Sequence, residues 1–184
     1  MGWDKSTTNP LEWTAKMQDA PREAINIFAF EVFKRVVMRT PVDTGQARQN
    51  WLVSINEEDN SVLGADIKYK KVKKRKGEKA GKTVRKRTVK LERGASATME
   101  QGRMAIAFAQ GDDKILMQNN SPYIGVLEYG WFPKNPKRGG ETKKGLPKTE
   151  GGYSSQAPQG MVGIVMAKAD QLWKKAVQVV KGNL

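Results

Sequence analysis

The chemistry open to this chain is narrowed first by what it lacks. Its 184 residues contain no cysteine and no histidine. A thiolate nucleophile, a Cys-type zinc site and a Ser-His-Asp triad are therefore excluded, and the commonest general base is missing. Carboxylates, Lys, Ser/Thr and Tyr remain. Asp43-Thr44-Gly45 spells the aspartic-protease triplet, whose chemistry needs two carboxylates close enough to share a proton. One triplet is present, so a second copy would have to supply the partner. Such an aspartate ends a strongly apolar strand; this one follows a helix stop and precedes Gln46-Ala47-Arg48-Gln49-Asn50, a stretch that reads as polar and exposed. A capped turn is the expected reading. Gly139-Gly140-Glu141-Thr142-Lys143-Lys144-Gly145 lacks the Gly-Lys-Ser/Thr ending of a phosphate loop and the apolar strand before it. Glu128, beside Tyr129 in an apolar run, is expected to be buried and paired with an arginine such as Arg48. Trp131-Phe132-Pro133 reads as a packing or interface plug rather than a cofactor box. No cofactor and no metal is expected, and the chain is read as a non-enzyme.

Charge is concentrated in one place. The formal net is +14. Between positions 68 and 93 stand 14 basic residues and two acidic ones, Glu78 and Glu92. The basic set is Lys68, Lys70, Lys71, Lys73, Lys74, Arg75, Lys76, Lys79, Lys82, Arg85, Lys86, Arg87, Lys90 and Arg93. The rest of the chain is close to neutral. This arm is expected to lie on nucleic-acid phosphates, to clamp an acidic protein surface, or to stand solvated. Tyr69 is its one aromatic residue, so base stacking has little support. No stretch reaches the 18 apolar residues of a membrane span.

The elements that must carry these groups follow from periodicity. Residues 1–19 read as a polar N-terminal arm. Asp19 as N-cap and Pro21 in the first turn then open a helix. Ile25, Phe28, Ala29, Val32 and Val36 form one stripe of it; Ile27, Phe30, Phe33 and Val37 form the next. Stripes this wide imply cover on more than one side. Thr40-Pro41 ends it. Gly45 takes a positive φ, and a short helical turn, 46–50, leads to a half-buried strand in which Trp51, Val53 and Ile55 alternate with Leu52, Ser54 and Asn56. A second strand is expected over 61–67, running into the basic arm, which reads as either a mobile arm or a protruding hairpin. A helix over 95–109 is expected to present Met99, Arg103, Ile106 and Ala107. A short strand at 114–119, turn chemistry at Asn119-Asn120-Ser121-Pro122, and a short helix from Tyr123 to Tyr129 stopped by Gly130 follow. After a long loop, one closing helix lines up Val165, Ala169, Leu172, Trp173, Ala176 and Val180. The expected fold class is α+β in a single domain, 1–184. A small antiparallel or mixed sheet packs against a long helix of the N-terminal half and a C-terminal helix. The body spans 20–67, 95–130 and 156–181, with a protruding basic arm at 68–94 and an extended loop at 131–155.

Three blocks in order carry a resemblance. They are Thr40-Pro41-Val42-Asp43-Thr44-Gly45-Gln46-Ala47-Arg48-Gln49-Asn50-Trp51, then Asn119-Asn120-Ser121-Pro122-Tyr123-Ile124 through Leu127-Glu128-Tyr129-Gly130, then Ser155-Gln156-Ala157-Pro158-Gln159-Gly160-Met161-Val162. Together they resemble the neck, or tail-completion, proteins of long-tailed bacteriophages. The likeness covers roughly 20–60 and 95–181, not the basic arm, and the stretch 132–152 is longer than that family's usual link. It implies a small α+β subunit of the virion, without an active site, forming a ring of six or twelve copies. The ring would join the head-completion or connector protein to the tail-terminator or tail-tube protein, with genomic DNA in its channel. On that reading Asp43-Thr44-Gly45 caps the turn that feeds Arg48 and Trp51 into the sheet. Pro122-Tyr123 opens the short helix, Glu128-Tyr129-Gly130 closes it, and Ala157-Pro158 positions the last helix. The N-terminal arm, the basic arm and the 131–155 loop are the expected ring contacts. The competing expectation is a non-sequence-specific DNA-binding accessory protein acting through 68–93.

Overall fold

A computed structural model describes residues 10–71, 85–130, 153–154 and 156–183. Along the chain lie α1 (Pro10–Arg39), α2 (Gln46–Gln49), β1 (Trp51–Ile55), β2 (Ala65–Lys71), β3 (Arg85–Leu91), α3 (Ala95–Phe108), β4 (Ile115–Asn119), α4 (Ile124–Tyr129), α5 (Val162–Met166) and α6 (Ala169–Asn183). The class is α+β. The strands form two separate antiparallel pairs, β1 with β4 and β2 with β3.

The long helix begins earlier than Asp19 and Pro21 suggest. Pro10 opens it, and Pro21 lies inside. An interior proline removes one i→i−4 bond. Its neighbours Ala15, Lys16, Met17, Gln18, Ala20, Glu23 and Ala24 are strong helix formers, and the helix continues through it. The expected two apolar stripes are both used. Ala29, Val32, Phe33, Val36 and Val37 are buried, and α6, α3 and α5 pack around them. The helix stops as expected at Thr40, whose N–H and hydroxyl both donate to the Val36 carbonyl, at 3.1 and 2.8 Å.

Three packing details depart from the periodicity. In β1, Trp51, Leu52 and Val53 are all buried, so the strand is enclosed rather than half-wet. Trp51 and Val53 join the core of α1 and α3. Gln101 of α3 covers the edge away from β4: its amide accepts from the Val53 N–H at 3.4 Å and donates to the Val53 carbonyl at 2.9 Å. In α3 the buried line is Thr98, Gly102 and Ile106, while Arg103 and Ala107 are exposed. Gly102 decides this rotation. A Cβ there would stand 2.6 Å from Cδ1 of Phe33, so only glycine lets α3 settle against that ring. The closing helix is broken into α5 and α6 by a tight turn at Ala167–Lys168, where the Lys168 N–H bonds the Val165 carbonyl at 3.0 Å. Val165, Leu172, Ala176 and Val180 are buried as expected, and Trp173 meets Phe28 edge to face with centroids 5.7 Å apart.

Candidate functional site

The three sequence blocks, distant along the chain, interlock in space through side chains bonded to backbone. Within the first, the Trp51 indole N–H donates to the buried Thr40 hydroxyl at 2.7 Å. Arg48 donates to the carbonyls of Met38 and Thr40 at 3.1 and 2.8 Å, a cation on the negative end of α1. Burial pulls the Arg48 pKa below its ordinary value. The second block reaches the first through Asn119, opposite Trp51 in the ladder, whose amide donates to the Ala47 carbonyl at 2.7 Å. The third reaches the first through Gln156. Its amide oxygen accepts from the Val42 N–H at 2.7 Å, and its nitrogen donates to the Val42 carbonyl at 3.1 Å.

Glu128 joins the second block to the third. Its carboxylate accepts the N–H groups of Met161, Val162 and Gly163 at 2.7, 2.9 and 2.9 Å, the open donors at the start of α5. The expected pairing with Arg48 is thus corrected. The acid sits on the positive end of one helix and the arginine on the negative end of another, where each finds backbone partners without desolvating the other. Gly160, at φ 76, makes the close approach possible: a Cβ would lie 2.5 Å from the Glu128 carbonyl oxygen. Met161 is fully buried, while Pro158, in a bridge with Gly160, is exposed.

The turn residues do local work. Gly45 has φ 89 and Gly130 has φ 76, the left-handed values expected of both. The Thr44 hydroxyl accepts the Gln46 N–H at 3.1 Å. Pro122 is exposed, Tyr123 half-buried and Tyr129 exposed. Burial, then the charge of Asp43, raises the pKa of the Tyr123 phenol. Asn120 donates to the carbonyls of Asp59 and Ser61, at 2.5 and 2.8 Å.

The stretch 46–50 is not exposed as its polarity suggests. Gln49 and Asn50 are buried, at 1% and 0% exposure, and they grip the root of the hairpin β2–β3. Asn50 bonds both the N–H and the carbonyl of Leu63, at 2.7 and 2.9 Å. Gln49 donates to the Gly64 carbonyl at 2.5 Å and accepts from the Arg93 N–H at 3.1 Å. Glu92 accepts the Gly64 N–H at 2.8 Å. These side chains satisfy 63–64, which is why β2 begins at Ala65 rather than at Ser61. Sequence reasoning missed Gln49, Asn50 and Gln156; the available signal was two adjacent uncharged amides set directly against an apolar strand.

Of the predicted basic set, Lys68, Lys70, Lys71, Arg85, Lys86, Arg87 and Lys90 lie on the two strands, and Arg93 follows them. Lys73, Lys74, Arg75, Lys76, Lys79 and Lys82 fall outside the described residues, as do 1–9 of the N-terminal arm and most of the 131–155 loop.

Asp43 is exposed in a bend, not held at the end of an apolar strand. Among the described residues no group of three or more acidic side chains converges on a metal position. A groove of about 420 Å³ between α1, β4 and α5 is lined by apolar residues such as Phe28, Val32, Met117, Val162 and Met166, and lacks the convergent polar groups that orient a substrate. Among the described residues no helix is long and apolar enough to cross a membrane. Comparison with family models, curated proteins and solved structures finds no match to this chain.

Proposed function

We propose that this chain is a non-enzymatic structural subunit of a tailed-phage virion. Copies assemble into a ring of six or twelve in the neck, between the head connector and the tail, with DNA passing through the lumen. The observation that carries this reading is the mutual lock of the three blocks. Gln156 on Val42, Asn119 on Ala47, and Glu128 on Met161, Val162 and Gly163 turn the family-like residues into backbone clamps. Polar side chains committed to backbone hold a shape, and a ring subunit works by shape. Met104 and Phe108, one turn apart on the outer side of α3 and 48% and 73% exposed, suit a contact between subunits.

The test is genetic. Silencing the gene in a phage that carries it is expected to leave filled heads and complete tails unjoined, with joining restored by the wild-type copy supplied in trans. Sedimentation of the purified chain is expected to give a species six or twelve times the 20.5 kDa subunit, alone or with its neck neighbours. Joined, infective particles from the silenced gene would refute the reading.

A further inference from the structure

We propose that the stem of the hairpin, Ala65–Lys71 with Arg85–Leu91, is a binding ribbon for the phosphate backbone of duplex nucleic acid. The inference deepens the neck reading by giving the basic segment a partner, but it rests on its own observation, the register of the two strands. That register sets Lys70 opposite Lys86 and Lys71 opposite Arg85, and puts Arg87 opposite Tyr69. Like charges at paired positions destabilise an antiparallel ribbon. The two strands carry seven basic residues and one acid, Asp66. That acid is already engaged, 3.2 Å from the Lys68 ammonium. Self-repulsion on this scale is relieved by a partner that brings dense negative charge.

The arrangement favours a duplex over an acidic protein face. Alternate strand positions belong to opposite faces of a ribbon. Lys68, Lys70, Lys86 and Lys90 fall in one set, and Lys71, Arg85 and Arg87 in the other. A flat acidic surface would meet one set only. The major groove of a duplex admits a two-stranded ribbon and presents phosphates along both walls. Seven residues at a rise of about 3.3 Å make the stem about 23 Å long, enough to follow several phosphates on each strand. Lys68, Thr88 and Lys90 are exposed, and each strand packs chiefly on the other, so the ribbon is accessible. Its root is fixed to the body by Gln49 and Asn50, and Glu92 ties its two ends together, which limits the conformational freedom lost on binding. One aromatic residue in the ribbon, Tyr69, leaves base stacking without a platform. Binding is therefore expected to be indifferent to sequence.

The experiment uses the full-length chain and a labelled 30-base-pair duplex of mixed sequence, followed by anisotropy at several salt concentrations. If all seven cations meet phosphates, log K should fall against log salt with a slope of about 6, a loss of at least about 10³-fold between 50 and 200 mM. The variant Lys70→Gln/Lys71→Gln/Arg85→Gln/Lys86→Gln should lower that slope by about 3.6. Its melting midpoint should hold or rise, because the opposed like charges are gone; a change that merely damaged the fold would lower it. The charge-keeping variant Lys70→Arg/Lys86→Arg should bind like wild type. Polyglutamate of matched charge should bind more weakly than the duplex. An unchanged slope in the glutamine variant would refute the ribbon, and so would polyglutamate binding as tightly as DNA, which would assign the stem to an acidic protein. Because the assay needs neither ring nor particle, its failure would leave the neck reading standing, and failure of the neck reading would leave the ribbon testable.

Discussion

Replacing Glu128 by alanine should cost this fold about 3 kcal/mol. The figure rests on the three N–H groups its carboxylate accepts. Met161 is fully buried, so its amide would be left without water, at about 1–3 kcal/mol. Val162 is half-buried and Gly163 exposed, so their amides recover solvent and lose about 0.5–1 kcal/mol each. For a chain of this size, about 3 kcal/mol lowers the melting midpoint by about 6–12 °C. Calorimetry at neutral pH reads this directly. Glu128→Gln keeps one acceptor oxygen but turns an NH2 toward the remaining donor, so its midpoint should fall between those of Glu128→Ala and wild type. Glu100→Ala is the control. Glu100 pairs with Arg103 at 2.6 Å on the exposed side of α3 and should leave the midpoint in place. If Glu128→Ala melts within about 2 °C of wild type, the carboxylate is not holding α5 and the proposed lock between the second and third blocks is wrong.

Other perturbations probe the remaining joints. Gly102→Ala drives a methyl into the Phe33 ring and should destabilise by about 1–3 kcal/mol, or more if α3 cannot shift, as urea titration would show. Asn50→Ala removes both bonds to Leu63 and should accelerate amide exchange at Leu63 and along β2, while leaving β4 protected. At alkaline pH, Tyr123 gives a signed test. Its folded pKa is raised, so its contribution to stability is complete below the unfolded value of 10.0 and is lost as pH climbs through the higher folded value. Tyr123→Phe should flatten the fall in stability above about pH 10, measured as melting midpoint against pH.

What could be read in advance was what local chain chemistry dictates. Thr40-Pro41 stops α1, Gly45 and Gly130 take the left-handed turns, and the apolar stripes of α1 and α6 face the core. Most of the misreadings share one cause: partners far away in sequence. Glu128 looked like half of an ion pair, yet its partners lie 33 to 35 residues on and are backbone amides. Gln49 and Asn50 looked solvent-facing because their polarity was visible and the segments 63–64 and 93 that satisfy it were not adjacent. Gly102, a weak point by helix propensity, is where α3 comes closest to Phe33. Pro21 carried a strong local signal for a helix start, but Pro10 occupies that role, and the helix-forming residues between them outweigh one lost bond.

The most direct test of the account as a whole is imaging of purified, washed phage particles, with this chain located in the reconstruction. The account predicts a closed ring of its copies at the joint between head and tail, encircling the DNA path, with β2 and β3 turned toward that path. Particles that are joined and infective yet contain none of this chain would contradict it.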